Sequence, residues 1–264
     1  GDRIDLGIGR APGTDPITSA AMRGHLGEGR MVDREGRAID PVEQFPRHVI
    51  DSLSLMQPEG MRVPLHGGRE HVLKATPAAA PGTQPLPWLL GSSGYSARLA
   101  AELGMPYVFA NHFASGATTG MKIYRDNFTP GAYGDKPQTF VTANLVVAPT
   151  EEEAQLRSEP FMLQMARMRT GGPMEKLHLA GDDIRSVMTD QERMVGEELS
   201  NNWIIGDPKS AAAQLEELAE RFDVDEIMIQ PIAGAMKGED VREDPGRIQT
   251  IELLAAEFLG GVNV

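Results

Sequence analysis

Two short stretches carry residues whose types and spacing suit the binding of a small anion. The first is Gly91-Ser-Ser-Gly-Tyr-Ser96, where glycines turn the chain without bulk and Ser92, Ser93 and Ser96 supply hydroxyls. Successive backbone N–H groups at such a turn, Gly94 included, with the start of a helix behind them, cradle a phosphate. The same residues also suit a plain turn in which Ser96 only caps the helix. The second stretch is the end of an alternating run, Ile4, Leu6 and Ile8, from which Arg10 emerges. A guanidinium is a planar fork of donors that matches phosphate or carboxylate, and it serves equally in a surface ion pair. The chain has no Cys, which excludes cysteine nucleophiles, thiolate metal sites and disulfides. No Ser-His-Asp pattern and no metal-ligand pattern stands out, so no metal site is expected.

The elements that must position these residues alternate between strand and helix. Trp88, Leu89 and Leu90 form a short apolar run that reads as a strand covered on both faces. It ends in the Gly91 turn, and the helix that follows carries Leu99, Ala100 and Leu103 before Gly104 stops it. A new strand begins at once and finishes in Ala110-Asn-His112. Strands are expected near 3–9, 87–91, 105–111, 139–147 and 226–232, each followed by helical sequence. A helix opening at Asp40 or Pro41 stripes Phe45, Val49, Leu53 and Met56; another stripes Met121, Tyr124 and Phe128. Thr150 followed by Glu153 is a capping-box start for a largely helical insertion over 154–202, broken at 171–173 and 181–183, whose Met162, Met165 and Met168 read as core filling. Asp207 caps a helix with Pro208 at its first position and a stripe of Ala211, Leu215, Leu218 and Phe222. A last helix is striped by Ile248, Ile251, Ala255 and Phe258. Loop excursions are expected at 24–41 and 61–86, the second with a small hairpin near His71 to Lys74. Consecutive βα units imply an α/β fold, either a doubly wound sheet or a (β/α)8 barrel, with five of a barrel's eight strands in view.

At 264 residues the chain is long enough for one large α/β domain, and we take 1–264 as a single domain. A net charge of −13, with no basic block to oppose it, argues against nucleic acid as a partner. No apolar run approaches the roughly 20 residues of a membrane span, so no membrane association is expected. Without a signal-peptide plan at its start, the protein is expected to be cytoplasmic.

The residues resemble a known family, the luciferase-like flavin-dependent monooxygenases. Arg3-Ile-Asp-Leu-Gly-Ile-Gly-Arg-Ala-Pro-Gly-Thr-Asp15 is similar to the family's fourth strand and its loop. Leu89 to Phe113 is similar to the fifth strand, its helix and the sixth strand; Ile204-Ile-Gly-Asp-Pro-Lys-Ser-Ala-Ala with the strand at Asp225-Glu-Ile-Met-Ile229 is similar to the closing unit. The resemblance implies a (β/α)8 TIM barrel of which this chain carries the C-terminal five units. Three further units, roughly 90 to 100 residues, precede them in the family. The chain then reads as a piece of a longer enzyme or as a shortened relative.

The resemblance also implies a site. Arg10, Ser92, Ser93, Gly94 and Ser96 match the positions that hold the phosphate of reduced FMN, and Ala110 and Asn111 match backbone that lines its ring system. His112, at a strand's C-terminal end, is the candidate for polarising substrate or flavin, or for a supporting hydrogen bond. The implied activity is oxidation of a small organic substrate by reduced FMN and O2, with a separate flavin reductase as partner and a homo-oligomeric assembly. Alternatives are a deazaflavin (F420)-dependent oxidoreductase of the same superfamily, a non-catalytic flavin-binding relative, and an unrelated phosphate-binding barrel, which would need an acid/base pair at strand ends.

Overall fold

The computed structural model describes residues 4–10, 18, 21, 41–76, 80, 82–113 and 118–260. The loop expected over 24–41 lies outside them as far as residue 40, as does the loop beyond Arg10. The chain forms two compact units: Gly1–Val108 with Lys122–Gln138, and Phe109–Met121 with Thr139–Val264.

In the first unit β1 (Asp5–Gly9) pairs parallel with β4 (Leu86–Gly91), in register from Asp5↔Leu86 to Gly9↔Leu90. Between them in sequence lie α1 (Pro41–Leu55), which buries Phe45, Val49 and Leu53 at the expected spacing, and the antiparallel hairpin of β2 (Met61–Pro64) and β3 (Glu70–Leu73). Leu89 of β4 is fully buried, whereas Trp88 and Leu90 are only half-buried, so this strand alternates instead of being covered on both faces. α2 (Gly94–Glu102) follows and turns into β5 (Tyr107–Phe109) through Gly104, whose φ is +61°. A Cβ at Gly104 would lie 2.6 Å from the Thr129 carbonyl oxygen, so glycine is required for both conformation and space. Behind the turn the Tyr107 and Tyr124 rings sit 5.3 Å apart, and the Tyr124 hydroxyl donates to Met105 O at 3.0 Å.

The helix α3 (Thr119–Asp126) leads to the second unit's central strand, β6 (Thr139–Val147), whose β-branched run is almost wholly buried. β6 pairs parallel with β7 (Ile204–Gly206) and with β8 (Ile227–Pro231). The strand β7 corrects the expected count: besides the hairpin there are six strands, not five, among the described residues. Three residues between Trp203 and the cap at Asp207 are too few to show the period-two alternation by which a strand is recognised.

The insertion is helical as expected, in α4 (Glu151–Thr170), α5 (Ile184–Val187) and α6 (Asp190–Ser200). It packs Met162, Leu163 and Ile184 with Val146, Trp203 and Ile232 into one core, the Phe161 and Trp203 rings 5.4 Å apart. The capping box expected at Thr150 is only half made. Glu153 N donates to Thr150 Oγ1 at 3.2 Å, but the Glu153 carboxylate accepts instead from Arg157 Nε at 2.8 Å. The reciprocal box forms at Thr189 and Glu192, where α6 begins. α7 (Pro208–Phe222) is capped by Asp207 and buries Ala211, Leu215, Leu218 and Phe222. α8 (Pro245–Leu259) departs from expectation, because Ile248, Ile251 and Phe258 are exposed and the helix buries Gly246, Thr250 and Leu254 instead. Thr250 explains the choice of face: its hydroxyl donates to Val147 O and accepts from Val147 N, fastening that side of the helix to β6.

Candidate anion-binding turn and strand-end polar cluster

The parallel register places Arg10 and the Gly91 turn side by side. Gly9 is level with Leu90, so Arg10 and Gly91 leave neighbouring strands at the same end. The Arg10 guanidinium lies 5.5 Å from the centroid of the Tyr95 ring, a cation–π contact that holds the charge over the start of α2. Tyr95 is itself fixed by its hydroxyl, which donates to Val42 O at 2.9 Å.

The turn is built to a tight tolerance. A Cβ on Gly91 would stand 2.5 Å from Ser96 Oγ and 2.6 Å from Ser96 Cβ, so no side chain fits there. The Gly91 carbonyl accepts from the Tyr107 hydroxyl at 2.8 Å. Burial pushes the Tyr107 phenol above its ordinary range, which keeps it a donor. Ser93 takes the N-cap position with extended backbone, φ −123° and ψ 161°, and its side chain makes no capping hydrogen bond. The reading of Ser96 as the cap is thereby replaced: Ser96 lies inside the first turn and is buried, while Ser92 and Ser93 are exposed. The first amides of α2, those of Gly94, Tyr95 and Ser96, have no acceptor within the helix. Amides with no acceptor inside the helix, a cap hydroxyl that makes no capping hydrogen bond and a guanidinium over the Tyr95 ring are the donor types that suit a dianionic group, with no acid or base among them for covalent chemistry.

In the second unit Asn111, His112 and Phe113 form one 3-10 turn after β5. His112 Nδ1 lies 2.5 Å from Thr142 Oγ1 on β6, a hydrogen bond whose direction follows the tautomer. Burial lowers the His112 pKa below its ordinary value, favouring the neutral ring. Asn111 is buried and its Oδ1 has no partner among the described residues; the same holds for Asn144 Oδ1 on β6. Ala110 is half-buried just ahead of the turn.

Of the residues singled out from sequence, Arg10, Ser92, Ser93, Gly94 and Ser96 are thus assembled in the first unit, and Ala110, Asn111 and His112 in the second. Tyr95 and Tyr107 were missed. The signal was present, since an aromatic beside a Gly-Ser turn and a Tyr opening the next strand are the natural props for a bulk-free loop. No cluster of three or more metal-ligating side chains occurs among the described residues.

The family model described as luciferase-like monooxygenase matches residues 1–225. The uncharacterized protein YvbT of Bacillus subtilis (strain 168) is 32% identical over 255 residues, 96% of this chain and 66% of that protein. A luciferase-like monooxygenase of Escherichia coli (strain K12) is 30% identical over 231 residues, 86% of this chain and 61% of that protein. The chain therefore spans about two thirds or less of the length of these relatives. Among solved structures, the crystal structure of apo-MsnO8 has a TM-score of 0.67 at 24% identity, covering 98% of this chain and 69% of that one, a likeness of fold.

Proposed function

This chain belongs to the luciferase-like monooxygenase family, and from that premise we propose that its Gly91 turn and Arg10 hold the phosphate of reduced FMN in an O2-dependent oxidation of a small organic substrate. The observation that carries this reading is the register of β1 with β4, which sets a guanidinium beside a helix start whose cap hydroxyl is uncommitted. The residues present fit the group: the donors are those a phosphate needs, and Gly91 lets Ser96 pack tightly against the turn that presents them, where a Cβ would stand 2.5 Å from Ser96 Oγ. When bound, the cofactor supplies the redox chemistry with O2, and the protein supplies position and exclusion of water.

In this reading Arg10 would neutralise one phosphate charge, while the amides of Gly94, Tyr95 and Ser96 and the hydroxyls of Ser92 and Ser93 would donate hydrogen bonds to the remaining oxygens. The backbone of Ala110 and Asn111 lines the ring, an assignment carried by the family resemblance. His112, neutral and tied to Thr142, acts as a hydrogen-bonding group and not as a cation. The organic substrate is met by the family's chemistry, and reduced flavin is delivered by a separate reductase.

A fluorescence titration tests the assignment with FMN, riboflavin and a deazaflavin in parallel. FMN is expected to bind well ahead of riboflavin, which lacks the phosphate. Arg10→Ala is expected to weaken FMN by about 1 to 3 kcal/mol, the range for a hydrogen bond to a charged group, and to leave riboflavin unchanged. Equal affinity for FMN and riboflavin in the wild-type protein would falsify the phosphate cradle. Preference for the deazaflavin would transfer the cradle to a hydride-transferring cofactor.

A further inference from the structure

The second unit holds a sheet face of which the flavin reading uses only the contact between His112 and Thr142. Along β6 the side chains alternate between two faces. Val141, Ala143, Leu145 and Val147 are at most 1% exposed, and α8 is fastened to that side through Thr250 and Val147. Thr142 and Asn144 project from the other face, the one on which His112 meets Thr142. β8 extends it. Thr142 is level with Met228 and Asn144 with Gln230, and register partners in a parallel pair point their side chains the same way. Met228 is 54% exposed and Gln230 is exposed, so the face is open beside Asn144. Gln230 lies at the C-terminal end of β8, the end of parallel strands at which α/β folds place their ligands. The segment leaving that end is pinned by Arg157, itself only 3% exposed. It donates to Gly234 O at 3.0 Å and, through both terminal nitrogens, to Glu239 at 3.0 and 2.7 Å.

Asn144 is the anomaly on this face. It is 3% exposed, yet its Oδ1 has no hydrogen-bond partner among the described residues, and Asn111 Oδ1 in the adjoining turn is in the same state. Folding leaves few buried polar groups unpaired, because each has lost its hydration for nothing. An apolar side chain of the same shape would avoid that loss, so the carboxamide stands here against stability. The chemistry that would satisfy it follows from its neighbours. Thr142, Asn144, Met228 and Gln230 carry no charge, and burial favours the neutral form of His112. Glu226, the ionisable residue that continues the face along β8, stands ahead of the strand at the opposite end. An acceptor short of a donor, a second carboxamide beside it and no counter-charge together select a neutral group that both donates and accepts hydrogen bonds.

We propose that this face binds a neutral organic molecule by an amide group, whose N–H donates to Asn144 Oδ1 and whose carbonyl accepts from the Gln230 side chain, with the apolar body on Met228. The last torsion of an Asn side chain is broad and two-fold, so rotation about it brings Oδ1 round to the Gln230 side. That this molecule is the one oxidised rests on the flavin-dependent reading above; that it binds here does not.

Titration of the isotope-labelled chain without flavin, followed by nuclear magnetic resonance of its side-chain amides, tests the site with three probes. They are benzamide, N,N-dimethylbenzamide, which has no N–H, and benzoate, which is charged. Benzamide is expected to saturate one site, to shift the side-chain amide signals of Asn144 and Gln230, and to bind about tenfold tighter than either of the others. Asn144→Leu is expected to cost benzamide about tenfold, as for loss of one hydrogen bond, and to leave dimethylbenzamide unchanged. It is also expected to raise the urea midpoint of the ligand-free chain, because it removes an unpartnered buried amide; a carboxamide with a purely structural role would lower it. Gln230→Met, at an exposed position where folding is not at stake, is expected to weaken both amides. No saturable benzamide binding, equal affinities for the three probes, shifts that spare both side chains, or a lower urea midpoint in Asn144→Leu overturns the proposal. The order of the probes supports the site whatever FMN does, and its absence removes the site while leaving the phosphate cradle standing.

Discussion

The turn of the first unit, proposed to bind an anion, and the β6–β8 face of the second are built in opposite ways. The turn is six consecutive residues whose backbone would do the binding, and its tolerance is set by a missing Cβ. The face is made of side chains brought from segments around 112, 144 and 230, and Arg157 holds the segment that leaves β8 in place. A backbone site is local in sequence and intolerant of added volume. A side-chain site is dispersed in sequence and sensitive to the loss of a single distant tie.

The largest expected effect comes from cutting that tie. Arg157→Met removes a buried guanidinium from Glu153, Glu239 and Gly234 O and leaves two carboxylates short of their partner. Breaking a buried pair by deleting one side costs several kcal/mol; with the carboxylates about a third exposed, we expect about 3 kcal/mol in a urea titration. Arg157→Lys should recover only part of this, since an ammonium cannot make the two-pronged contact with Glu239. Benzamide binding should fall with stability while FMN binding at the turn persists in the folded fraction. Loss of FMN affinity at full folding would show that the two sites are not independent and would break the comparison.

Gly91→Ala strikes the turn in the complementary way. The added methyl group collides with Ser96 near the backbone, where nothing flexible can yield, and overpacking of this kind costs about 2 kcal/mol. FMN affinity should collapse and benzamide affinity should not. The double variant Gly91→Ala, Ser96→Gly relieves the collision and should regain much of the stability, because neighbouring sites of this kind do not add. A double variant no more stable than Gly91→Ala would place the strain elsewhere.

The same contrast explains what could be read from the sequence. The turn was legible because the requirement for absent side chains is written directly as Gly91 and Gly94 between an apolar strand and a helix. Its pairing with Arg10 across about eighty residues followed once both strands were taken as neighbours in a parallel fold, and β1 and β4 are so paired. β7 was not legible, being three residues long. Nor was the role of Glu153, whose spacing from Thr150 fits a capping box but also places it four residues before Arg157, and the ion pair won. The exposed face of α8 shows a further limit. Apolar spacing marks a stripe at Ile248, Ile251 and Phe258, but Thr250, the polar residue among them, is the one that binds the strand. The β6–β8 face left no sequence signature, because Asn144 is distinguished only by the partner it lacks and the strand that lies beside it.

The smallest effect concerns acid. Burial holds the His112 pKa in the folded protein below its ordinary value of 6.5, so between those two values the unfolded chain binds a proton that the folded chain does not. Stability is therefore complete above pH 6.5 and declines as pH falls beneath it, by at most about 1.4 kcal/mol per pH unit for one group. Glu239 has the opposite kind of shift. Its hydrogen bonds from Arg157 hold its pKa below the ordinary 4.5, so its contribution is full above pH 4.5 and is lost as pH falls through the folded value. The first part of the acid limb, from pH 6.5 towards 4.5, thus reports the burial of His112, and only the lower part reports the Arg157 pin. Both lie in the second unit, and the turn lies in the first. Urea midpoints at pH 7, 6 and 5 should slope in the wild-type protein and flatten in His112→Gln, with Arg157→Met retaining the slope. A slope that survives in His112→Gln assigns the upper limb to another group and severs it from the turn at Asn111.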